Sequence, residues 1–258
     1  MPAHAKRSIP VLVPLLLACA VLLTPAAACL GGTPLGRALR SAEVAAPPSG
    51  SAPGEEREEI ICVVIDAGHG GEDGGTASAA GVLEKDVNLS VAFALRDLFE
   101  AAGIPVVMTR TEDKLLYDRS VDFHGRKKAL DLAARRIVAE KTSEAAAEGG
   151  GTSLFISIHM NAFPAPQYSG MQVWYGVGAL RSAEVAAAIQ SASLSIRPDN
   201  HRRIKAAGSN IYLLDRIRSP AVLVECGFLS NPEEAELLSK EDYQRAVAAV
   251  IFAGVLGC

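Results

Sequence analysis

The chain has 258 residues, of which 49% are hydrophobic and 21% are charged, and its formal net charge is −4. This length and apolar content are enough for one domain with a buried core. The negative charge argues against a nucleic-acid-binding protein, which would need a concentrated basic surface. The five cysteines show no CxxC spacing, which argues against a zinc site made of thiolates.

The N-terminal residues have the pattern of an export signal. Lys6 and Arg7 precede an apolar stretch that runs from Ile9 to about Leu23, and the sequence TPAAAC follows. A basic region, an apolar core and an Ala-x-Ala motif are typical of a secretory signal peptide, with an uncleaved anchor as the alternative. We therefore expect residues 1–28 to be a signal peptide or N-terminal anchor, and to be the protein's only contact with a membrane.

The next segment predicts a linker followed by a single domain. Residues 29–59 are rich in Gly, Pro, Ala, Ser and Glu and have no apolar periodicity, which is typical of a flexible linker. From residue 60 onward, strand-like and helix-like segments alternate without an internal repeat. We expect one catalytic domain over residues 60–258.

The alternation within residues 60–258 predicts an α/β fold. Strands are predicted at IICVVID, IPVVMTR, SLFISIHM, GMQVWY, NIYLL and AVLVECG. Helices are predicted from Glu84 to about Gly103, over about 118–140, over 181–195, and after the capping signals Asn231 with Pro232 and Ser239 with Asp242. The sequence AAAEGGG predicts a flexible break. Strands that are apolar on both faces indicate a mostly parallel twisted sheet with helices on both faces.

Reactive side chains stand where the predicted strands end. The first strand ends at Asp66 and leads to His69, another ends at His159, and a third ends at Glu225. Ligands of open α/β sheets bind at the carboxyl ends of the strands, so we expect these side chains at one edge. Glu84 begins the helix after the glycine-rich loop, which returns it to the same edge.

Two histidines and one glutamate form a set of three ligands that is typical of catalytic zinc, with the fourth position left for water. A second glutamate would serve as the general base. We expect Glu84 to be the ligand because it lies near His69 along the chain. Glu225 ends a buried strand, which suits a well-aimed base.

The glycine-rich loop VVIDAGHGGEDGG has two possible interpretations, a metal-binding loop and a phosphate-binding loop. Glycines allow sharp backbone bends that would aim His69 at a metal and leave room for a polymeric substrate. A phosphate-binding loop is the weaker alternative, because neither GxGxxG nor a following Gly-Lys-Ser/Thr is present. Glu72 and Asp73 are expected on the loop surface, and His124 and His201 are expected in solvent.

Three further polar residues are candidates for supporting roles. Asp66 would orient His69 or close a turn. Asn161 would face the substrate or cap a loop. Arg110 would pair with a carboxylate. Cys62 and Cys226 lie in apolar segments and are expected as buried thiols, with a disulfide between them left open.

Four sequence blocks in order resemble the zinc-dependent N-acetylmuramoyl-L-alanine amidases of the AmiC/CwlV-like type. They are VVIDAGHGGEDGG with GVLEKDVNL, then TR, LFISIHMNA and PAVLVECGFLSNPEE, and the resemblance covers about residues 60–256. It implies that His69, Glu84 and His159 bind one Zn²⁺ and that Glu225 is catalytic. Ala67 and Cys226 depart from the usual residues without touching this chemistry.

The resemblance implies hydrolysis of the amide between N-acetylmuramic acid and L-alanine in peptidoglycan. The C-terminal region is most similar to the spore-cortex branch of the family, the CwlD type. This implies export to the cell wall or the forespore intermembrane space, and a lipoprotein or deacetylase partner in cortex maturation. The alternatives are a general cell-separation or wall-turnover amidase, a zinc exopeptidase and a non-catalytic wall-binding protein.

Overall fold

The computed structural model of the chain describes residues 58–117, 120 and 125–258. Within them a six-stranded sheet comprises, in chain order, β1 (Ile60–Ala67), β2 (Val106–Met108), β3 (Thr152–Asn161), β4 (Gln172–Tyr175), β5 (Lys205–Ala206) and β6 (Ala221–Phe228). The strands lie in the order β2-β1-β3-β6-β4-β5. Every neighbouring pair is parallel except β4 and β6. The predicted mostly parallel sheet is therefore confirmed.

Helices cover both faces of this sheet. They are α1 (Glu84–Ala101), α2 (Lys127–Glu148), α3 (Arg181–Ala192), α4 (Tyr212–Arg216), α5 (Pro232–Leu238) and α6 (Glu241–Leu256). Helices α1, α3 and α6 share one apolar cluster with the sheet, and α2 and α4 share another. Within β3, Leu154 and Ile156 belong to the first cluster and Phe155 belongs to the second. Both faces are buried, as expected for parallel strands, and the α/β class is confirmed.

Two predicted segments differ from the structure, and one strand was not predicted. The sequence NIYLL was predicted as a strand, but Tyr212–Arg216 form helix α4, which buries Leu213 and Leu214 against the α2 face. The AAAEGGG segment was predicted as a break, but its first half is the last turn of α2, which ends at Glu148. Strand β5 was not predicted.

The two predicted capping signals near the C-terminus have different outcomes. The Asn231 side chain accepts hydrogen bonds from the backbone N–H groups of Glu233 and Glu234, which confirms it as the N-cap of α5. Ser239 does not cap α6. Its hydroxyl donates to the carbonyl oxygen of Glu236 at 2.7 Å, and the N-cap of α6 is Lys240.

Cys62 and Cys226 are not joined by a disulfide. Cys226 is buried, as predicted, whereas Cys62 is only half-buried. Burial raises the pKa of both thiols. His201 is exposed, as predicted, whereas His124 lies outside the described residues.

Adjacent parallel strands bring the predicted reactive residues to one edge of the sheet. In the register of β1 and β3, Asp66 lies beside Ser157, and in that of β3 and β6, His159 lies beside Glu225. Among the residues the structure describes, no helix is both long and apolar enough to cross a membrane. The export signal and most of the linker were predicted on residues 1–57, which lie outside the described part.

Candidate metal centre and active site

The side chains of His69, Glu84 and His159 converge at the carboxyl edge of the sheet. The Oε1 atom of Glu84 lies 3.2 Å from Nε2 of His69 and 2.9 Å from Nδ1 of His159. One ligand atom from each residue lies within 4.8 Å of the others. Three N and O donors at this separation form a group that could hold a metal ion.

Glycines in the loop make room for these ligands. A Cβ atom on Gly68 would lie 2.3 Å from Nε2 of His159, and one on Gly75 would lie 2.4 Å from Oε2 of Glu84. Gly75 also has φ of 67°, a conformation that favours glycine. The predicted sharp bends are present, but close approach to the ligand side chains is the more specific reason for glycine at these two positions.

Glu84 is held firmly in place at the start of α1. The residue is 3% exposed, and its side chain accepts hydrogen bonds from the backbone N–H groups of Thr76, at 2.8 Å, and Met160, at 3.1 Å. Burial opposes ionisation of Glu84, but hydrogen bonds and charge from His159 and His69 outweigh burial and hold its pKa below the ordinary value. The carboxylate is therefore ionised and available as a ligand.

The loop around His69 is strained and carries a second carboxylate. His69 has φ of 61°, which is uncommon for a residue other than glycine. Its Nδ1 atom lies 2.9 Å from Oδ2 of Asp73. Asp73 was predicted on the loop surface, but its side chain is only 30% exposed and lies against the His69 ring. Nδ1 has no partner with hydrogen-bond geometry among the described residues, so Asp73 acts on the ring through its charge at this distance. Glu72 is exposed, as predicted, and pairs with Lys127.

Glu225 lies beside this cluster on the neighbouring strand. It pairs with His159 in the register of β3 and β6, and its Oε2 atom is buried without a hydrogen-bond partner among the described residues. Burial and the nearby Glu84 raise the pKa of Glu225 above its ordinary value, against the opposing charges of the two histidines and Arg202. A buried carboxylate with a raised pKa is suited to proton transfer near neutral pH.

Asp66 does not contact the His69 ring. Its Oδ2 atom accepts a hydrogen bond from the hydroxyl of Ser157, and Oδ1 accepts from the hydroxyl of Thr109, both at 2.7 Å. Oδ1 also accepts from Nη1 of Arg135 at 2.7 Å. Asp66 is fully buried, and Arg135 links it to the carbonyl oxygen of His69.

Arg135, on helix α2, was not predicted as a site residue. It is 1% exposed and donates at 2.7 Å to the carbonyl oxygens of Ala67 and His69, as well as to Asp66 and Asp131. Burial disfavours its charge, but the two aspartates outweigh burial and raise its pKa. Arg135 thus holds the strained His69 backbone against the sheet. The i, i+4 spacing of Asp131 and Arg135 predicts their ion pair, but not its burial.

Arg110 has different partners from those expected, and the role of the Asn161 side chain stays a prediction. Arg110 is 2% exposed, and its guanidinium donates to the carbonyl oxygens of Ala67, Gly68 and Lys85 at 2.7–3.0 Å, so its hydrogen bonds go to backbone and not to a carboxylate. Asn161 ends β3, and its backbone carbonyl oxygen accepts a hydrogen bond from the backbone N–H of Leu229 at 2.9 Å.

Comparison with known proteins decides the family. The model of the N-acetylmuramoyl-L-alanine amidase family matches residues 63–256. The chain belongs to this family. The match contains the complete histidine and glutamate cluster and Glu225.

Individual members show how far the likeness extends. The germination-specific N-acetylmuramoyl-L-alanine amidase of Bacillus subtilis (strain 168) is 41% identical over 194 residues, which are 75% of this chain and 78% of that protein. The CwlD amidase from Clostridioides difficile, solved in complex with the GerS lipoprotein, is 34% identical with a TM-score of 0.69 over 76% of this chain and 97% of that chain. The catalytic domain of CwlV from Bacillus (Paenibacillus) polymyxa is 27% identical with a TM-score of 0.62, over 77% and 97%.

Proposed function

We propose that the protein is a zinc-dependent amidase that hydrolyses the bond between N-acetylmuramic acid and L-alanine in peptidoglycan. The convergence of His69, Glu84 and His159, with Glu225 on the adjacent strand, carries this proposal. Family membership supports the choice of substrate bond.

The donor set fits zinc. Two imidazoles and one carboxylate are a common catalytic ligand set for this ion, and the buried Oε2 of Glu225 lacks a partner within the described residues. Zinc bound by His69, Glu84 and His159 would polarise the scissile carbonyl and lower the pKa of a water molecule. Asp73 would act on the His69 ring through its charge, which lies 2.9 Å from Nδ1.

Glu225 would move the proton. As the general base it accepts a proton from the attacking water, and it then donates that proton to the leaving nitrogen of L-alanine. Its buried Oε2 atom has no hydrogen-bond partner among the described residues and is therefore available for both transfers.

Digestion of purified muropeptides tests the activity. An amidase releases intact stem peptides with a new N-terminal alanine and leaves glycan without peptides, as mass spectrometry would show. Release of single amino acids would favour the zinc exopeptidase alternative. Binding to peptidoglycan without any zinc-dependent turnover would favour the wall-binding alternative.

We further propose that the enzyme acts in spore-cortex maturation, where removal of stem peptides precedes formation of muramic lactam. The 41% identity to a germination-specific amidase supports this role over general cell-wall turnover. On this proposal residues 1–28 export the chain as a signal peptide or anchor, residues 29–59 are a flexible linker, and residues 60–258 act outside the cytoplasmic membrane. A lipoprotein partner is proposed from the CwlD amidase solved with the GerS lipoprotein.

Deletion of the gene in the source organism tests the spore role. We expect spore cortex that lacks muramic lactam and spores that fail to germinate, with normal vegetative division. Normal muramic-lactam content together with chained, unseparated cells would instead favour the cell-separation amidase.

A further inference from the structure

Arg202 is tied to the strand that lies next to Glu225. Its Nε atom donates to the carbonyl oxygen of Ser169 at 2.7 Å, and its Nη1 atom donates to Oε1 of Gln172 at 3.1 Å. Gln172 is the antiparallel cross-strand partner of Glu225 between β4 and β6. The guanidinium is therefore fixed one strand away from the proposed general base.

Aromatic rings hold the guanidinium from another side. The Cζ atom of Arg202 lies 4.3 Å from the ring centroid of Phe228 and 6.0 Å from that of Tyr168. Tyr168 stacks on Phe228, and Phe163 meets Tyr168 edge-on with centroids 4.7 Å apart. Phe163 and Tyr168 are 51% and 42% exposed. The rings and Arg202 form a continuous surface at the carboxyl ends of β3 and β6.

Arg202 keeps binding capacity that the protein does not use. It is only half-buried, and within the described residues its guanidinium pairs with no carboxylate and its Nη2 atom donates to no acceptor. The nearby Glu234 does not fill this role, because its carboxylate lies 3.6 Å from Arg197 and accepts from the backbone N–H groups of Gly170 and Phe228. Burial lowers the pKa of Arg202, and Glu234, Tyr168 and Glu225 oppose this only in part.

We propose that Arg202 binds a free carboxylate of the stem peptide and makes the enzyme selective for stems that carry it. The inference rests on the proposed amidase function. Arginine recognises carboxylates through a planar fork of N–H donors, and fixing that fork in advance reduces the entropy lost on binding. Arg202 is anchored beside Gln172, the cross-strand partner of Glu225, and therefore lies close to the place where the amide would be cleaved. The carboxylate that it would bind is the free one nearest the scissile amide, which belongs to the second residue of the stem.

Two matched substrates test this assignment. Disaccharide tetrapeptides would carry either a free carboxylate (D-glutamate) or a carboxamide (D-isoglutamine) on the second stem residue. We expect the zinc-loaded full-length protein to prefer the free carboxylate by about 10- to 100-fold in kcat/KM, the size of a charge-assisted hydrogen bond. In Arg202→Gln this ratio should fall to about one, and in Arg202→Lys, which keeps charge without the fork, it should be intermediate.

The neighbouring Arg203→Gln is the matched control, because Arg203 is exposed and should leave the ratio as in the wild type. Far-UV circular dichroism and zinc content check that each variant is folded. Equal kcat/KM for the two substrates in the wild type, or an unchanged ratio in a folded Arg202→Gln, overturns the inference.

Binding of the same two compounds to Glu225→Gln separates this inference from the amidase proposal. Tighter binding of the free carboxylate without cleavage by the wild type would keep the role of Arg202 and overturn the amidase function. Cleavage of both substrates by the wild type, together with equal binding of the two to Glu225→Gln, would keep the amidase function and overturn the role of Arg202.

Discussion

Replacing Arg135 with methionine tests how the histidine loop is held. Methionine keeps much of the length of the side chain but removes four hydrogen bonds of 2.7 Å, two to the aspartates Asp66 and Asp131 and two to backbone carbonyls. Asp66 is fully buried and would keep only the hydroxyls of Ser157 and Thr109. The substitution therefore leaves a buried charge without its cation.

Removing one partner of a buried ion pair costs about 3–5 kcal/mol. This is a large part of the about 5–15 kcal/mol by which a domain is usually stable. The cost should depend on pH. Burial raises the pKa of Asp66, but Arg135 and the two hydroxyls outweigh burial and hold it below the ordinary value. In the wild type, the stabilisation that comes from ionised Asp66 is thus complete above the pKa of about 3.9 that Asp66 has in the unfolded chain. It is lost as the pH falls through the pKa of Asp66 in the folded protein.

Urea unfolding monitored by circular dichroism, with a chelator present, measures this cost. We expect Arg135→Met to lower the free energy of unfolding by about 3–5 kcal/mol at pH 7 and by less at pH 4. Without Arg135 the burial of Asp66 acts to raise its pKa, so the variant can protonate this carboxylate at pH 4. Arg136→Met is the matched control. Arg136 pairs at the surface with Glu140, so its loss should cost about 0.3–0.5 kcal/mol. Equal costs for the two variants, or a cost for Arg135→Met that does not change with pH, would show that Arg135 does not stabilise the charge of Asp66.

Three further predictions concern the metal centre. His69→Ala or His159→Ala should strip zinc and abolish turnover, and unchanged metal content by mass spectrometry in both variants would contradict the ligand assignment. Glu225→Gln should retain zinc and lose about 10²–10⁴-fold in kcat, because an amide cannot accept the proton of water; a loss of only a few-fold would give the base role to another group. Gly68→Ala should weaken zinc binding, since the new Cβ would lie 2.3 Å from His159, whereas Gly74→Ala meets nothing closer than 3.9 Å and should bind zinc normally.

Much of the fold was predictable because it depends on local patterns. The sheet strands β1, β3 and β6 are apolar runs with a polar residue at or near their carboxyl ends, and Asn231 carries its capping signal within three residues. Helix α4 was mistaken for a strand because a short apolar run has the same composition in either state, and only packing of Leu213 and Leu214 against the α2 face decides between them.

The site was predictable where strand ends carry its residues, and not where contacts are distant in sequence. His159 and Glu225 follow from the rule that parallel strands share a carboxyl edge. Arg135 lies 66 residues from the carbonyl it holds, so no local pattern connects it to His69. Asp73 was misplaced because its contact depends on a left-handed backbone at His69, which the sequence does not specify.

The central claim is that zinc held by His69, Glu84 and His159 supports amide hydrolysis with Glu225 as base. The most direct measurement counts zinc per chain and new N-terminal alanines from purified peptidoglycan in one titration, with wild-type protein and Glu225→Gln in parallel. We expect alanine release by the wild type to rise with zinc until one ion is bound per chain, and Glu225→Gln to bind the same zinc with almost no release. Alanine release that does not depend on zinc, or full release by Glu225→Gln, would contradict it.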